Sequence, residues 1–411
     1  MDLATCEALD RADPLAHKRD EFFLPEGLIY LDGNSLGAQP LRARDRIREL
    51  VEAEWGRDLI RSWNTHGWID LPMRCGELIA PLVGAAPGQV ICCDSISVNL
   101  FKLLAAGLAL QPGRHRVVAV EGDFPTDHYI AQGLQSLLGE TRCRLDPVPR
   151  EALEQALGDD VALLMLSHVD FRSGGLEDMR SLTRLAHQRG VLVVWDLAHS
   201  AGVVEVALDD CAADFAVGCG YKYLNGGPGA PSFLYVAARH QAASRQPLSG
   251  WMGHRAPFDF EGAYQGGEGV RRFLAGTPPV LSMGALEAAL GVFEGVRIAQ
   301  LRAKSLALSD LFLDLMARDP ALAGFRPGTP LEHGRRGSQL SWHHPDAWPI
   351  CQAWAERGVI GDFRAPDILR VGLSPLYLRY QDVFRAVRIL SDIVASGAWK
   401  APRFQQRARV T

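Results

Sequence analysis

The chain has 411 residues, 47% of them hydrophobic, and a formal net charge of -5. That is enough apolar material for one large core and a smaller one. An acidic balance without any Lys/Arg block argues against nucleic acid as the main partner.

The longest apolar runs, 161–166 and 191–195, have strand length and fall far short of a membrane span. Residues 1–7 show neither a basic stretch nor an apolar one, so a soluble protein of the cytosol is expected. The eight cysteines are scattered without any Cys-x-x-Cys spacing, which reads as buried thiols in a reducing compartment. The histidines are dispersed too. Beyond His168 and Asp170 nothing suggests ligands, and no metal site is expected.

In chain order, residues 1–30 read as helical and polar, closing on a short strand at 28–31. The turn-rich loop Asp32-Gly33-Asn34-Ser35-Leu36-Gly37 follows, either a plain connection or a polar wall of a substrate cleft. Residues 42–55 read as an amphipathic helix. The segment 61–68, with Trp63, His66 and Trp68, reads as a loop that packs an interface or walls a flat ligand. From Glu77 onward strands and helices alternate, with strands at 90–93, 117–120, 145–148, 161–167 and 191–195. The 122–127 segment reads as a loop, and Ser95, Ser97 and Asn99 open the helix that runs to Leu110. Such residues cap a helix and leave free N–H groups where a phosphate binds, although capping alone explains them. After a strand at 232–236 and a loop-rich stretch at 245–277, residues 280–318 read as one long helix. Strands at 338–342, 359–362 and 368–373 then imply a C-terminal unit, and the segment after Arg403 reads as a tail.

Strands that are apolar throughout and separated by helices imply a mostly parallel sheet covered on both faces. Ligands of such sheets sit at the carboxyl ends of the strands. Three loops converge there: 124–127, 167–170 and 196–199. No Gly-x-Gly-x-x-Gly follows a strand and no Gly-Lys-Ser/Thr occurs, which argues against a dinucleotide enzyme and a P-loop ATPase.

The lysines narrow the choice, because only Lys18, Lys102, Lys222, Lys304 and Lys400 occur. Lys18, Lys304 and Lys400 read as solvated, and Lys102 lies in the helix that Ser97 opens. Lys222 alone sits in a turn of small and aromatic residues after an apolar run, where a desolvated amine is a usable nucleophile. A lone lysine in a Gly-rich turn is more often structural. Upstream, however, Asp196-Leu197-Ala198-His199 ends a buried strand in an acid, with a histidine three residues on. Asp196 either caps the next turn or faces a cationic ring nitrogen, and His199 either packs over a cofactor or caps a turn. An acid for a pyridine nitrogen and a lysine for an aldehyde are what pyridoxal phosphate (PLP) requires.

Beyond these residues the chain resembles the kynureninase family over nearly its whole length. The resemblance rests on Gly33-Asn34-Ser35-Leu36-Gly37, Ser97-Val98-Asn99-Leu100, Phe124-Pro125-Thr126-Asp127, Asp196-Leu197-Ala198-His199, Tyr221-Lys222-Tyr223-Leu224-Asn225 and Gly250-Trp251-Met252-Gly253-His254. It implies an α/β fold of the PLP-dependent fold type I, with a seven-stranded, mostly parallel sheet and a smaller C-terminal α+β domain. The implied division is an N-terminal arm at 1–50 contributing to the small domain, a PLP-binding domain at 51–280, and a connecting helix with the small domain at 281–411.

The activity it implies is hydrolysis of L-kynurenine, and of its 3-hydroxy analogue, to anthranilates and L-alanine in tryptophan catabolism. The implied catalytic residues are Lys222, Tyr221 and Asp196. The implied cofactor shell is Ile96, Ser97, Phe124, Pro125, Thr126, Asp127, Ser167, Asp196, His199, Tyr221 and Lys222, with Trp251 and Thr277 from the partner of a homodimer. Arg370 is the implied clamp for the substrate carboxylate, with His66, Asn34 and Ser35 as further substrate contacts. Another fold-type-I enzyme, a desulfurase or an aminotransferase, is the rival reading, and a non-catalytic PLP-binding module is a more distant one. Cys351 is the only late candidate for a desulfurase nucleophile, and it lies in an expected helix.

Overall fold

The structure, a computed structural model, describes residues 1–407. Helix α1 (Leu3–Ala12) starts on Asp2, whose carboxylate accepts the Thr5 N–H. Helix α2 (Leu41–Glu49) continues into a wider π-helical segment, Leu50–Asp58, so the expected amphipathic helix runs slightly further than its pattern. The expected loop at 61–68 is instead a series of short helical turns, among them Ser62–Thr65 and Trp68–Asp70.

Helix α3 (Leu71–Ile79) leads into the main sheet. The alternation is β1 (Val90–Cys92), α4 (Ile96–Leu110), β2 (Arg116–Val120), α5 (Pro125–Leu138), β3 (Arg144–Val148), β4 (Val161–Ser167), α6 (Met179–Gln188), β5 (Leu192–Asp196), β6 (Phe215–Cys219) and β7 (Ser232–Val236). These seven strands lie in the order β1-β7-β6-β5-β4-β2-β3, and only β7 runs against the rest. Strands β4, β6 and β7 are buried at every position, as the apolar runs in the sequence require of strands covered on both faces. Pro125 takes the first position of α5, a place where its missing N–H costs nothing. Part of the segment expected as a loop at 122–127 is therefore the first turn of that helix.

The single helix expected at 280–318 is two. Helix α7 (Val280–Leu290) gives way to a tight turn at Gly291–Phe293, and α8 (Ile298–Arg318) starts afresh after Gly295, which sits at φ +72°. Neither proline nor periodicity marks this break: the chain leaves the helical region at Glu294, just before the left-handed Gly295.

A four-stranded antiparallel sheet follows, with β8 (Arg326–Pro327), β9 (Gln339–His343), β10 (Asp362–Arg364) and β11 (Ile368–Gly372) in the order β8-β9-β11-β10. Helix α9 (Ala347–Glu356) packs on it, and α10 (Tyr380–Ser396) packs against α9, α8 and α1. The N-terminal segment joins this region, since Ile29 and Tyr30 pair in parallel with Val359 and Ile360. The expected tail begins with an ordered turn, Pro402–Gln405, that buries Phe404, and its last four residues lie outside the described part. Among the described residues, no helix is long and apolar enough to cross a membrane.

Two lysines expected to be solvated are buried. Lys304 Nζ lies 2.7 Å from Asp13 Oδ2, and Lys18 Nζ lies 2.8 Å from Glu21 Oε1 and donates to Glu294 O at 3.0 Å, so the Lys304–Asp13 pair and the Lys18–Glu294 bond tie the N-terminal segment down. A larger charge hub sits under β5. Asp214 is 1% exposed and accepts from Val193 N at 2.8 Å and Arg239 Nη2 at 2.6 Å, with His187 Nε2 at 2.8 Å and His240 Nε2 at 2.7 Å. Burial opposes its ionisation, but these partners outweigh burial and hold the carboxyl below the usual range. A depressed carboxyl contributes stability that is present above the unfolded value of about 3.9 and is lost as pH falls towards the folded one. Asp214→Ala is expected to lower the unfolding free energy by about 3–5 kcal/mol at pH 7, because it strands buried donors. Urea denaturation at pH 7 and at about pH 3, below the unfolded value, checks this, with a smaller difference at the lower pH.

Candidate active site

The strand ends bring one set of side chains to one rim. Asp123 and α5 follow β2, Ser167 ends β4, Asp196 ends β5, and the turn holding Tyr221 and Lys222 follows β6. Because β7 runs the other way, its first residue, Ser232, reaches the same rim beside Cys219. Together they enclose a cavity of about 250 Å³.

Of the sequence-derived residues, Ile96, Ser97, Phe124, Thr126, Asp127, Ser167, Asp196, His199, Tyr221 and Lys222 line this cavity. Pro125 does not line it and serves to start α5. Trp251 and Thr277 are exposed and elsewhere, and Trp251 stacks on Phe260 with centroids 6.4 Å apart. His66 is also outside, its Nε2 2.7 Å from Asp58 Oδ2. Trp68 takes the packing role, donating to the buried Glu54 at 2.6 Å.

Arg370, Ser35 and Asn34 form a second polar group behind the cavity. Arg370 is buried and forked onto Asp362, with Nε 2.9 Å from Oδ1 and Nη2 2.5 Å from Oδ2. Its Nη1 donates to the carbonyl of Phe171, a cavity residue, and its Nη2 lies 3.3 Å from Ser35 Oγ. Despite its burial, Asp362 stays below the ordinary carboxylate range because Arg370 and Arg364 face it. Asn34 is fully buried, and neither end of its amide has a hydrogen-bond partner.

The loop carrying these residues is held against the lysine turn. Gly37 N donates to Tyr221 O at 2.7 Å, and a Cβ on Gly37 would stand 2.4 Å from Lys222 O. Only glycine permits that approach.

Charge inside the cavity is unbalanced. Lys222 Nζ lies 2.9 Å from His199 Nε2 and 6.0 Å from the centre of the Tyr221 ring. Burial, with Lys222 adding to it, drives His199 well below its ordinary value, so the imidazole is neutral. Asp196 accepts the Ala198 N–H at 2.7 Å, which caps the turn, yet burial still raises its carboxyl. Asp127 is raised much further by burial and by the adjacent Asp196, and its Oδ1 has no hydrogen-bond partner. Asp123, which accepts the Ser167 N–H at 3.2 Å, is raised to about 7 by burial, with Asp170 and Asp196 adding to it.

A cavity with two carboxylates on its wall, a third beneath it and an orphaned acid oxygen calls for a cation. The other end suits a phosphate, because α4 begins there with Ser95 as its cap and the Ile96 and Ser97 N–H groups unused by the helix. Phe124 leaves a face free, being 42% exposed and set edge-on to Phe171. These features fit a flat cationic ring with a phosphate, as in PLP. Sequence reasoning missed Asp123, Phe171 and Gln339. An acid two residues before Pro125 is a weak signal, and the other two reach the site only through folding.

A family model described as "Kynureninase C-terminal domain" matches residues 301–390, and one described as "Aminotransferase class-V" matches 86–333. The chain is 52% identical to a curated kynureninase of Burkholderia pseudomallei over 98% of both chains. It belongs to the kynureninase family. A kynureninase of Deinococcus radiodurans is 51% identical over 96% of this chain and 97% of its own. Solved structures share the fold at much lower identity. A cysteine desulfurase of Escherichia coli superposes with a TM-score of 0.77 at 19% identity, covering 93% of this chain and 98% of its own. C-DES, solved with glycine covalently linked to its PLP cofactor, gives 0.79 at 16%, covering 91% and 99%. As a member of the kynureninase family the chain is a PLP-dependent hydrolase, and the expected fold type is the observed one.

The raised Asp123 has a measurable consequence. A cation in the cavity lowers that carboxyl, so cofactor binding near pH 7 expels a proton and affinity rises with pH up to about 7. Calorimetric titration of cofactor in two buffers of different ionisation enthalpy should show proton release that Asp123→Asn diminishes.

Proposed function

We propose that this chain hydrolyses L-kynurenine to anthranilate and L-alanine. The observation that carries the reading is the pairing of Lys222 with an acid-rich rim in a chain 52% identical to kynureninases over nearly its full length. PLP, when bound, supplies a conjugated ring that takes up the electrons released at Cα and Cβ.

Asp196 would hold the ring nitrogen in its charged form, with Asp127 and Asp123 adding to that field. The Ile96 and Ser97 N–H groups would hold the phosphate at the start of α4. Lys222 Nζ takes the proton from Cα. Tyr221, whose phenol burial pushes up and keeps protonated, gives a proton to the carbon left by Cβ–Cγ cleavage. The hydroxyl of a water molecule adds to the γ-carbonyl and leaves in the carboxylate of anthranilate, the water's remaining proton replaces the one Tyr221 gives to Cβ, and Lys222 returns its proton to Cα, which balances the reaction. Arg370 binds the substrate carboxylate as a planar donor, held ready by Asp362. Ser35 and Asn34 complete that corner, Asn34 offering an unused buried amide.

A desulfurase reading loses its nucleophile. Cys351 is buried in α9, and burial pushes its thiol up to about 12. The eight unpaired cysteines suit a reducing cytoplasm. We divide the chain into an arm at 1–50, a cofactor domain at 51–280 and a small domain from 281. The pairing of Ile29–Tyr30 with Val359–Ile360 supports assigning the arm to the small domain.

We further propose a homodimer in which Trp251 and Thr277 reach the partner's cavity. Trp251, Phe258 and Phe260 form an exposed aromatic cluster, which is costly to leave in water.

Purified holoenzyme should release fluorescent anthranilate from L-kynurenine, and no product would overturn the reading. Lys222→Ala and Asp196→Ala should each reduce kcat by roughly 10²–10⁴-fold or more. Mixing Lys222→Ala with Trp251→Ala chains should restore activity, since a mixed dimer carries one intact site. No recovery after verified subunit exchange would overturn the shared site.

A further inference from the structure

His199 touches two side chains, and the one behind it comes from the C-terminal sheet. Gln339 opens β9, is 1% exposed, and sets its Oε1 2.5 Å from His199 Nδ1. An amide can be turned end for end, so its remaining contacts decide which atom faces the ring. Gln339 Nε2 donates to Asp170 O at 3.1 Å and to Phe171 O at 2.9 Å. Carbonyls only accept, so the amino end is committed to them and the oxygen end to the imidazole. Two acceptors do not meet at 2.5 Å without a hydrogen between them, so Nδ1 carries one.

We propose that Gln339 is a positioning residue for the lysine site: it pins a proton on Nδ1 of His199 and makes Nε2, 2.9 Å from Lys222 Nζ, the nitrogen whose hydrogen bond changes during the reaction. The same Phe171 carbonyl that orients Gln339 also accepts from Arg370 Nη1. A continuous chain of direct hydrogen bonds therefore runs from Arg370 through Phe171 O, Gln339 and His199 to Lys222. Substrate seated at Arg370 and the amine that deprotonates it share one polar network. The roles given to Arg370 and Lys222 rest on the proposed function, whereas the place of the proton on His199 does not.

The charged groups facing His199 are Lys222, Arg370 and Arg364, all cationic. No carboxylate among them competes to draw the Nδ1 proton, and Gln339 is its acceptor. A carboxylate in place of the amide would stabilise the imidazolium, and an alkyl chain would leave Nδ1 without an acceptor.

The test is ¹⁵N NMR of histidine-labelled holoenzyme, with the His199 signals assigned by their loss in His199→Gln. Wild type should show a proton on Nδ1. Gln339→Leu should lose it from Nδ1 and lose roughly 10–100-fold in kcat, with a smaller change in KM, the range for residues that orient an imidazole from behind. Gln339→Glu should keep the Nδ1 proton and raise the pH at which His199 titrates. An unprotonated Nδ1 in wild type overturns the proposal, as does a Gln339→Leu variant with wild-type Nδ1 protonation and kcat. The wild-type spectrum decides even if Gln339→Leu fails to fold. Failure of kynurenine turnover would overturn the proposed substrate and leave this result standing.

Discussion

Three carboxyl groups set against one amine are the constraint on which this structure depends. Asp127 and Asp196 share the cavity wall and Asp123 lies beneath, while among the described residues Lys222 is the lone lysine or arginine on that wall. In a buried setting such charges cannot all be ionised without a further cation, so they either keep protons or recruit a positive ring. The fold serves this arrangement. Parallel strands deliver the acids to one rim, and the strand that runs backwards delivers Ser232 to it as well.

The second half of the molecule reaches the rim through backbone carbonyls and a glycine. Phe171 O receives donors from Gln339 and Arg370, both on strands of the C-terminal sheet. The 32–37 loop presses on the lysine turn at Gly37 and holds Ser35 against Asp362 at 2.9 Å. The proposed substrate corner and the cavity thus meet across contacts that tolerate little displacement. A Cβ at Gly37 would push the Lys222 backbone and loosen both.

Much of this was legible in the chain. Apolar runs such as Val161–Ser167 announce strands covered on both faces, and the alternation with helices announces a mostly parallel sheet. The scarcity of lysine singled out Lys222, and Asp196 was marked by its place after a buried strand. What stayed hidden has physical reasons. The break between α7 and α8 comes where Glu294 turns extended ahead of a left-handed glycine, with no proline to mark it. The burial of Lys18 and Lys304 depends on acids brought close by folding, Glu21 nearby in sequence and Asp13 far from it. Gln339 lies 140 positions from His199, and no local pattern connects them.

The fate of the lysines has a practical consequence. Lys18, Lys102 and Lys304 are buried and engaged with carboxylates, and Lys222 faces the cavity. Among the described residues Lys400 is the one exposed lysine. It follows α10 in the C-terminal region, in a turn beside Trp399 and away from the residues that line the cavity. Reagents that acylate surface amines therefore find one side-chain handle per chain. Coupling to a solid support through it would present the molecules in a common orientation.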